Sequence, residues 1–140
     1  MNPRLVPELN VVDLQESLNF YTGVLGFSVL YDRMEERFAY LEIEGAHLMI
    51  EEISEQSRQF STAPLEKPLG RGLNMQIQIS NVDDLYERVL LSHAKVIIAM
   101  EEKWYRMETQ EGGNRQFVVS DPDGYLLRFY SDLGSRPLQS

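Results

Sequence analysis

The side chains best suited to chemistry in this chain are aromatic rings, carboxylates and guanidinium groups, and they occur on stretches that read as strands. Aromatic faces can stack on planar or cationic groups, which contributes about 0.5–2 kcal/mol per contact. Charged side chains can pair with a ligand of opposite sign. The candidate binding residues are Phe38, Tyr40, Glu51, Trp104, Tyr105, Arg106, Arg115 and Arg128.

Strand alternation groups some of these candidates. Phe38 and Tyr40 are two residues apart and therefore share a face, and Glu51 is expected to point into the same concavity. Trp104 is the only tryptophan and stands among charged neighbours, which makes it the preferred contact. Each aromatic residue has an equally good alternative role in core packing. An inward Arg128 needs a partner, either an acid such as Glu51 or an anionic group of a ligand.

Several other chemistries lack the residues they need. The chain has no cysteine, which excludes thiol nucleophiles and thiolate metal sites, and its histidines are His47 and His93. It has neither a glycine-rich phosphate loop nor a serine nucleophile elbow. A net charge of −9 repels nucleic acid and attracts a cationic small molecule, although such a charge also serves solubility. We therefore expect a small-molecule partner and no nucleic acid.

In the first half, a helix is expected between one strand and three others. Asp13 and Glu16 have the spacing of a capping box, and Gly26 is placed to end the helix that follows. Strands are predicted at 5–12, 27–31, 37–43 and 47–53, with a tight turn at Glu44-Gly45.

The second half repeats this order. Residues 73–79 alternate apolar and polar side chains, as a half-buried strand does, and Asn81 can cap the next helix. Residues 95–100 read as a strand, 104–108 and 115–120 flank a turn predicted at 111–114, and the last hairpin turns at 121–124.

The repeat predicts an α+β fold of two tandem βαβββ modules that form a curved, cup-like mixed sheet. A sheet of four strands cannot bury its own face, so two must combine and leave a concave surface for a ligand. We expect a single domain over residues 1–140, with modules at 5–53 and 73–132, a linker at 54–72 and a flexible tail at 133–140. No stretch is long and apolar enough to cross a membrane, and the lack of a signal-like start favours the cytoplasm.

Two motifs in this order resemble the vicinal-oxygen-chelate superfamily of glyoxalases, dioxygenases and bleomycin-resistance proteins. The first spans residues 13–27, with Ser-Leu-Asn-Phe-Tyr at 17–21, and the second is Asp-Pro-Asp-Gly-Tyr at 121–125. The likeness covers residues 5–132 and implies the glyoxalase/bleomycin-resistance fold. Metal-dependent members hold a divalent ion with side chains from four strands.

The resemblance places poor metal ligands at three of those four positions. Val6 has no donor atom, Asn74 is a neutral amide, and Arg128 replaces a glutamate with a cation. The remaining position falls at Ile50 or Glu51. We therefore expect neither a metal nor another cofactor, and we lean against an enzyme.

The expected function is that of a bleomycin-resistance protein, whose closing segment resembles residues 115–129. Such a protein sequesters a small molecule, in that family a cationic antibiotic, and pairs as a homodimer. The alternatives are an enzyme of the same superfamily with an unusual metal site, and a structural module whose cup is vestigial.

Overall fold

The computed structural model describes residues 3–54 and 61–139. Residues 55–60 of the predicted linker, and the few residues at either end of the predicted domain and tail, lie outside these ranges. The chain divides into two compact units: Met1–Gly72 with Asp121–Tyr125, and Leu73–Ser120 with Leu126–Ser140. The turn predicted within the second module thus belongs to the first unit. In the described part of the chain, no helix has the length and apolar character that crossing a bilayer requires.

The first unit contains a mixed sheet of four strands in the order β1-β4-β3-β2. β1 and β4 run parallel, and the other neighbouring pairs are antiparallel. The strands are β1 Glu8–Val11, β2 Ser28–Arg33, β3 Phe38–Ile43 and β4 Ala46–Glu52, with helix α1 at Leu14–Leu18. A π-helical segment, Asn19–Val24, continues α1, and a short 3₁₀ turn, Met34–Glu36, joins β2 to β3.

The second unit repeats this topology with the order β5-β8-β7-β6. β5 and β8 are parallel, and β8, β7 and β6 are antiparallel neighbours. The elements are β5 Asn74–Gln78, α2 Val82–Leu91, β6 Lys95–Met107, β7 Gln110–Ser120 and β8 Leu126–Pro137. Two tandem βαβββ modules of the α+β class are therefore present, as predicted.

Each sheet buries one face under its helix. Along β4, Leu48 and Ile50 are almost completely buried, whereas Met49 between them is partly exposed. β8 shows the same alternation, because Leu127 and Phe129 are fully buried. Each core is completed by apolar residues of the helix, among them Leu14 in α1 and Leu85, Val82 and Val89 in α2.

The local signals that start and stop the helices are confirmed. The Asp13 carboxylate accepts the Glu16 N–H at 3.1 Å, and the Asn81 side chain accepts the Asp84 N–H at 3.0 Å. Each satisfies a backbone donor that has no partner within the helix. Gly26 follows the first helix with a φ of 87°, as the predicted terminator requires.

The turn predicted at 111–114 is wrong. β6 continues unbroken to Met107 and turns at residues 108 and 109, so Gly112 and Gly113 lie inside β7. A Cβ on Gly113 would lie 2.8 Å from the ring of Trp104, so this position needs glycine for close packing. The predicted flexible tail from residue 133 is also wrong as far as Pro137, because β8 extends to that residue and pairs with β7.

The Asp121–Tyr125 turn is tied to the first unit by a buried carboxylate. Asp121 is 4% exposed, and its Oδ2 accepts the Tyr21 hydroxyl at 2.8 Å. Its Oδ1 accepts the backbone N–H groups of Asp123 and Tyr125 at 2.9 and 2.8 Å. The Tyr125 hydroxyl in turn donates to the Asn10 carbonyl at 2.8 Å, and burial raises the pKa of Tyr125 to about 12.

Candidate functional site

The second sheet has a polar face opposite the face that packs against α2. Arg128 and Tyr130 are half-buried and alternate with the buried Leu127 and Phe129, so they point to the other side of the sheet. Cross-strand register places Gln116 opposite Tyr130. We use the term polar face for the side of the second sheet that carries Gln76, Tyr105, Gln116, Arg128, Tyr130 and Asp132.

A cavity of about 490 Å³ lies on the polar face. Its volume is within the range of roughly 300–1,000 Å³ that is typical of small-molecule sites. Among the described residues, its lining belongs to the second unit and combines aromatic, amide and charged side chains with glycine backbone. The lining residues are Gln76, Tyr105, Met107, Gly112, Gly113, Asn114, Arg128, Tyr130, Asp132, Gly134 and Ser135.

The Tyr105 hydroxyl is held in place by a buried amide. Gln116 is 2% exposed, and its Nε2 donates to the Tyr105 oxygen at 2.7 Å and to a Glu101 carboxylate oxygen at 2.9 Å. Arg128 donates to the same phenolic oxygen at 3.4 Å. Because that oxygen accepts both bonds, its own proton remains available to donate to a bound molecule.

Arg128 faces the cavity with neutral partners. One terminal nitrogen donates to the Gln76 side-chain oxygen and the other to the Tyr105 hydroxyl. Among the described residues Arg128 makes no ion pair, so its charge is not compensated by an acid. A guanidinium has five N–H donors, and several of these stay available to a ligand.

Asp132 brings the opposite charge to the other end of the cavity. It follows Arg128 by four residues along β8, about 13 Å at the usual rise of a strand. The side chain is exposed, and its Oδ1 accepts the Gly134 N–H at 2.7 Å. The cavity therefore has a cationic end and an anionic end.

Trp104 and Arg106 lie on the face opposite Tyr105, because neighbouring residues of a strand point to opposite sides. The Trp104 ring packs on Gly113 of β7, and the Arg136 guanidinium lies 3.8 Å from the ring centroid. Arg136 also pairs with Glu111 at 3.0 Å. The side chains of Trp104 and Arg106 thus lie outside the cavity, although both residues were predicted to contact a ligand.

Arg115 also lies on the helix side of the second sheet. Its guanidinium pairs with Asp83, in the first turn of α2, at 2.7 Å and with Glu102 at 3.5 Å. The Arg115 hydrogen bond lowers the pKa of the Asp83 carboxyl. These contacts tie β7 to the start of α2 and place Arg115 away from the cavity.

The predicted residues of the first half do share one face of the first sheet. Phe38 is directly opposite Glu51 in the β3–β4 register, and Tyr40 is two residues further along β3. Tyr31 stacks on Tyr40 with ring centroids 5.0 Å apart, and Arg33 lies 4.0 Å from the Phe38 centroid. Tyr31 and Tyr40 thus form an aromatic surface on the first unit, whereas Phe38, although predicted to contact a ligand, is only 5% exposed.

The family's metal set does not fit these residues. Of the two candidates for the second position, Ile50 is fully buried in the core, whereas Glu51 is partly exposed beside Phe38. Of the other three metal-ligand positions of the family, only those at Asn74 and Arg128 lie on strands, and neither residue offers an anionic donor. In residues 3–54 and 61–139, no group of three or more His, Cys, Asp or Glu could hold an ion.

Most residues that line the cavity are not among those predicted from the sequence. Only Tyr105 and Arg128 were singled out, although Tyr130 and Asp132 follow Arg128 at the strand period of two and Met107 follows Tyr105 in the same way. Extending the alternation along each strand would have found these three residues. Asn114 and Ser135 required the cross-strand register, which the wrong turn at 111–114 concealed.

Comparison with known proteins identifies the family. The family model described as Glyoxalase/Bleomycin resistance protein/Dioxygenase superfamily matches residues 5–129. Because this match spans most of the sequence, the chain belongs to that superfamily. The resemblance inferred from the two motifs is therefore confirmed.

Individual relatives agree with this assignment. The bleomycin resistance protein of Geobacillus stearothermophilus is 24% identical over 137 residues, which cover 93% of this chain and 97% of that protein. The crystal structure of TioX from Micromonospora sp. ML1 has a TM-score of 0.73 at 22% identity and covers 94% of this chain and 100% of that one. A protein of unknown function from Agrobacterium tumefaciens str. C58 has a TM-score of 0.70 at 24% identity, with coverages of 95% and 97%. At these identities, the structural likeness supports the fold alone.

Proposed function

We propose that this protein binds a small molecule in the cavity of the second unit and sequesters it without transforming it. The observation that carries the proposal is the convergence of Tyr105, Tyr130 and Arg128 on a cavity of about 490 Å³. Rings for stacking and fixed hydrogen-bond donors suffice for binding. The relatives named bleomycin resistance proteins support a binding role for this chain.

The family resemblance makes a cationic antibiotic one ligand to test, with bleomycin as the probe. The net charge of −9 attracts cations over distance, and Asp132 offers a carboxylate at one end of the cavity. Isothermal titration with bleomycin and with aromatic acids, amides and amines would measure binding. The bound molecule would then be recovered from the complex and analysed by mass spectrometry, and sequestration requires that it is unchanged.

The competing function is an enzyme of the same superfamily with an unusual metal site. It predicts that a divalent ion binds stoichiometrically and that a recovered probe is chemically altered. Titration of the protein with Zn²⁺, Mn²⁺, Ni²⁺ and Fe²⁺, followed by elemental analysis, tests the first point. Turnover of a probe in the presence of any of these ions would overturn the proposal of simple sequestration.

Substitution of Tyr105 by alanine is expected to weaken binding of the best probe by about 5- to 30-fold, because a stacked ring contributes roughly 1–2 kcal/mol. Trp104→Phe is the matched control, since its ring is on the other face of the same strand. Titration calorimetry on both variants measures the difference. Equal affinities in the two variants would place the binding site elsewhere.

The surface of the first unit that carries Tyr31, Tyr40 and Glu51 is proposed as a second ligand contact, without the predicted contact of Phe38, which is only 5% exposed. Tyr31 and Tyr40 offer stacked rings, and Glu51 offers a negative charge. Tyr40→Ala would weaken binding of an aromatic amine more than binding of the corresponding acid if a cationic group is bound there. We do not propose ligand contacts for Trp104, Arg106 and Arg115, because their side chains lie on the side of the second sheet that faces α2.

We also propose that the protein acts as a homodimer in the cytoplasm. β2 is at an edge of the first sheet, and all six of its residues are exposed, so its unpaired backbone groups can join a second copy. Sedimentation velocity is expected to give about twice the chain mass of 16.2 kDa. A species of single-chain mass at every concentration would refute the dimer.

A further inference from the structure

We infer that Arg128 is the recognition group for an oxyanion, so that the ligand of this cavity is an aromatic molecule with a carboxylate or a similar anionic group at one end. The inference rests on the proposed function and specifies its ligand class. It follows from the partners of Arg128, the arrangement around Tyr105 and the charges along β8.

The charge of Arg128 has no acidic partner among the described residues. A half-buried guanidinium is stable only with acceptors for its protons, and here its partners in the described residues are a neutral amide and a phenol. The nearby acid Glu101 is already engaged by Gln116. A ligand carboxylate would supply the missing negative charge and could accept two parallel N–H bonds from the guanidinium fork.

The Tyr105 hydroxyl provides a second donor beside the first. Its oxygen accepts from Gln116 and Arg128, so its proton is directed elsewhere. Gln116 is buried and makes hydrogen bonds through both its amide nitrogen and its oxygen, which fixes the position of the phenol. Two adjacent donors, one of them cationic, form a site that prefers an anionic oxygen to a neutral one.

The other residues that line the cavity favour a ligand with a planar ring and no second anionic group. Tyr105, Tyr130 and Met107 offer aromatic and thioether surfaces for a planar ring. Asp132 at the far end disfavours a second anionic group and accepts a donor or a cation. The ligand therefore has its anion at one end only.

Arg128 occupies the sequence position at which the family resemblance places a metal ligand. A metal ion at that position would attract anionic oxygens. In this chain, the guanidinium supplies a positive charge on the polar face through its own side chain.

Three matched probes test the inference: 2-naphthylacetate, 2-naphthylacetamide and 2-(2-naphthyl)ethylamine. Their affinities for the full chain would be measured by isothermal titration and by protein-detected NMR. We expect the acetate to bind about tenfold or more tighter than the amide and the amine, as a charge-assisted pair requires. Arg128→Gln should remove this preference, and Arg106→Gln, on the opposite face, should leave it unchanged.

The outcomes separate this inference from the function it rests on. Binding of all three probes with similar affinity, or a preference for the acetate that survives in Arg128→Gln, would overturn the oxyanion site and leave the cavity as a binding site. Absence of binding by all three naphthyl probes would overturn the oxyanion site, whereas the proposed binding function fails only if bleomycin does not bind either. The selectivity of the unmodified protein decides the question even if the Arg128 variant fails to fold, which circular dichroism would reveal.

Discussion

Substitution of Asp121 by alanine is expected to lower the free energy of unfolding by about 3–5 kcal/mol, because up to three buried donors lose their acceptor at roughly 1–3 kcal/mol each. The donors are the Tyr21 hydroxyl and the backbone N–H groups of Asp123 and Tyr125. Tyr21 is completely buried, so water cannot replace the carboxylate there without rearrangement. Urea unfolding followed by far-UV circular dichroism measures the loss.

Asp121→Asn is the matched control for that experiment. The asparagine oxygen can still accept the two backbone N–H groups, and its NH₂ can donate to the Tyr21 oxygen. We expect this variant to remain within about 1–2 kcal/mol of the unmodified protein. A loss as large as that of the alanine variant would show that the negative charge, and not the hydrogen-bond geometry, stabilises the turn.

The same pair of proteins gives a pH dependence. Burial raises the pKa of the Asp121 carboxyl above its ordinary value of 3.8, although its hydrogen bonds oppose the shift. A raised pKa means that the folded state binds more protons than the unfolded state, so stability falls as the pH rises from the ordinary value through the raised one. The stability of the unmodified protein relative to Asp121→Asn should therefore be greatest in acid and decline towards neutral pH. A relative stability that increases with pH would show that the hydrogen bonds outweigh burial.

Patterns that involve only a few neighbouring residues were sufficient to predict the fold. The caps at Asp13 and Asn81 and the terminator Gly26 act within one turn of chain, so residue type and spacing specify them. The turn at Glu44-Gly45 is equally local, and both residues have positive φ. The tandem order of elements followed from these signals together with strand periodicity.

The wrong predictions concern residues whose type depends on a contact with a residue distant in the sequence. Gly112 and Gly113 resemble a turn in the sequence, yet Gly113 is small because Trp104 on the adjacent strand packs against it. This reason becomes visible only once β6 and β7 are paired in register. The same register separates Trp104 from Tyr105 and moves the tryptophan out of the cavity.

Because Trp104 lies outside the cavity, its fluorescence is a poor measure of ligand binding there. A ligand on the polar face would contact tyrosine rings, whereas the tryptophan ring is on the other side of β6 under Arg136. Tryptophan fluorescence would therefore respond weakly even to tight binding. Calorimetry and NMR are better suited, and a flat tryptophan signal is no evidence for a vestigial cup.

The cavity depends on the length of the second sheet's strands. β6, β7 and β8 have 13, 11 and 12 residues, while the antiparallel strands of the first sheet have 6 or 7. Most of the lining, including Met107, Asn114 and Asp132, is on the part of these strands that extends beyond the β5 pairing. The extra residues thus form most of the cavity's lining, and they include part of the segment predicted to be a flexible tail.

Gly124→Ala is expected to cost about 2–5 kcal/mol of unfolding free energy, the sum of backbone strain and overpacking. Gly124 has a φ of 93°, which disfavours any residue with a Cβ, and an added Cβ would lie 2.4 Å from the Pro68 Cβ and 2.7 Å from its Cα. Neither atom is the end of a flexible side chain, so the backbone of one segment would have to move. The Asp123 carbonyl accepts the Leu69 N–H at 2.8 Å, and this bond holds the two segments together.

Gly45→Ala separates the two contributions. Gly45 has a φ of 90°, nearly that of Gly124, but an added Cβ would meet no atom within 4 Å. Its cost should therefore be the backbone strain alone, about 1–2 kcal/mol. The difference between the two variants, measured by urea unfolding under identical conditions, is the energetic cost of crowding Pro68. If Gly124→Ala cost no more than Gly45→Ala, the segment around Pro68 would have to yield freely, and the close packing of the Asp121–Tyr125 turn would contribute little to stability.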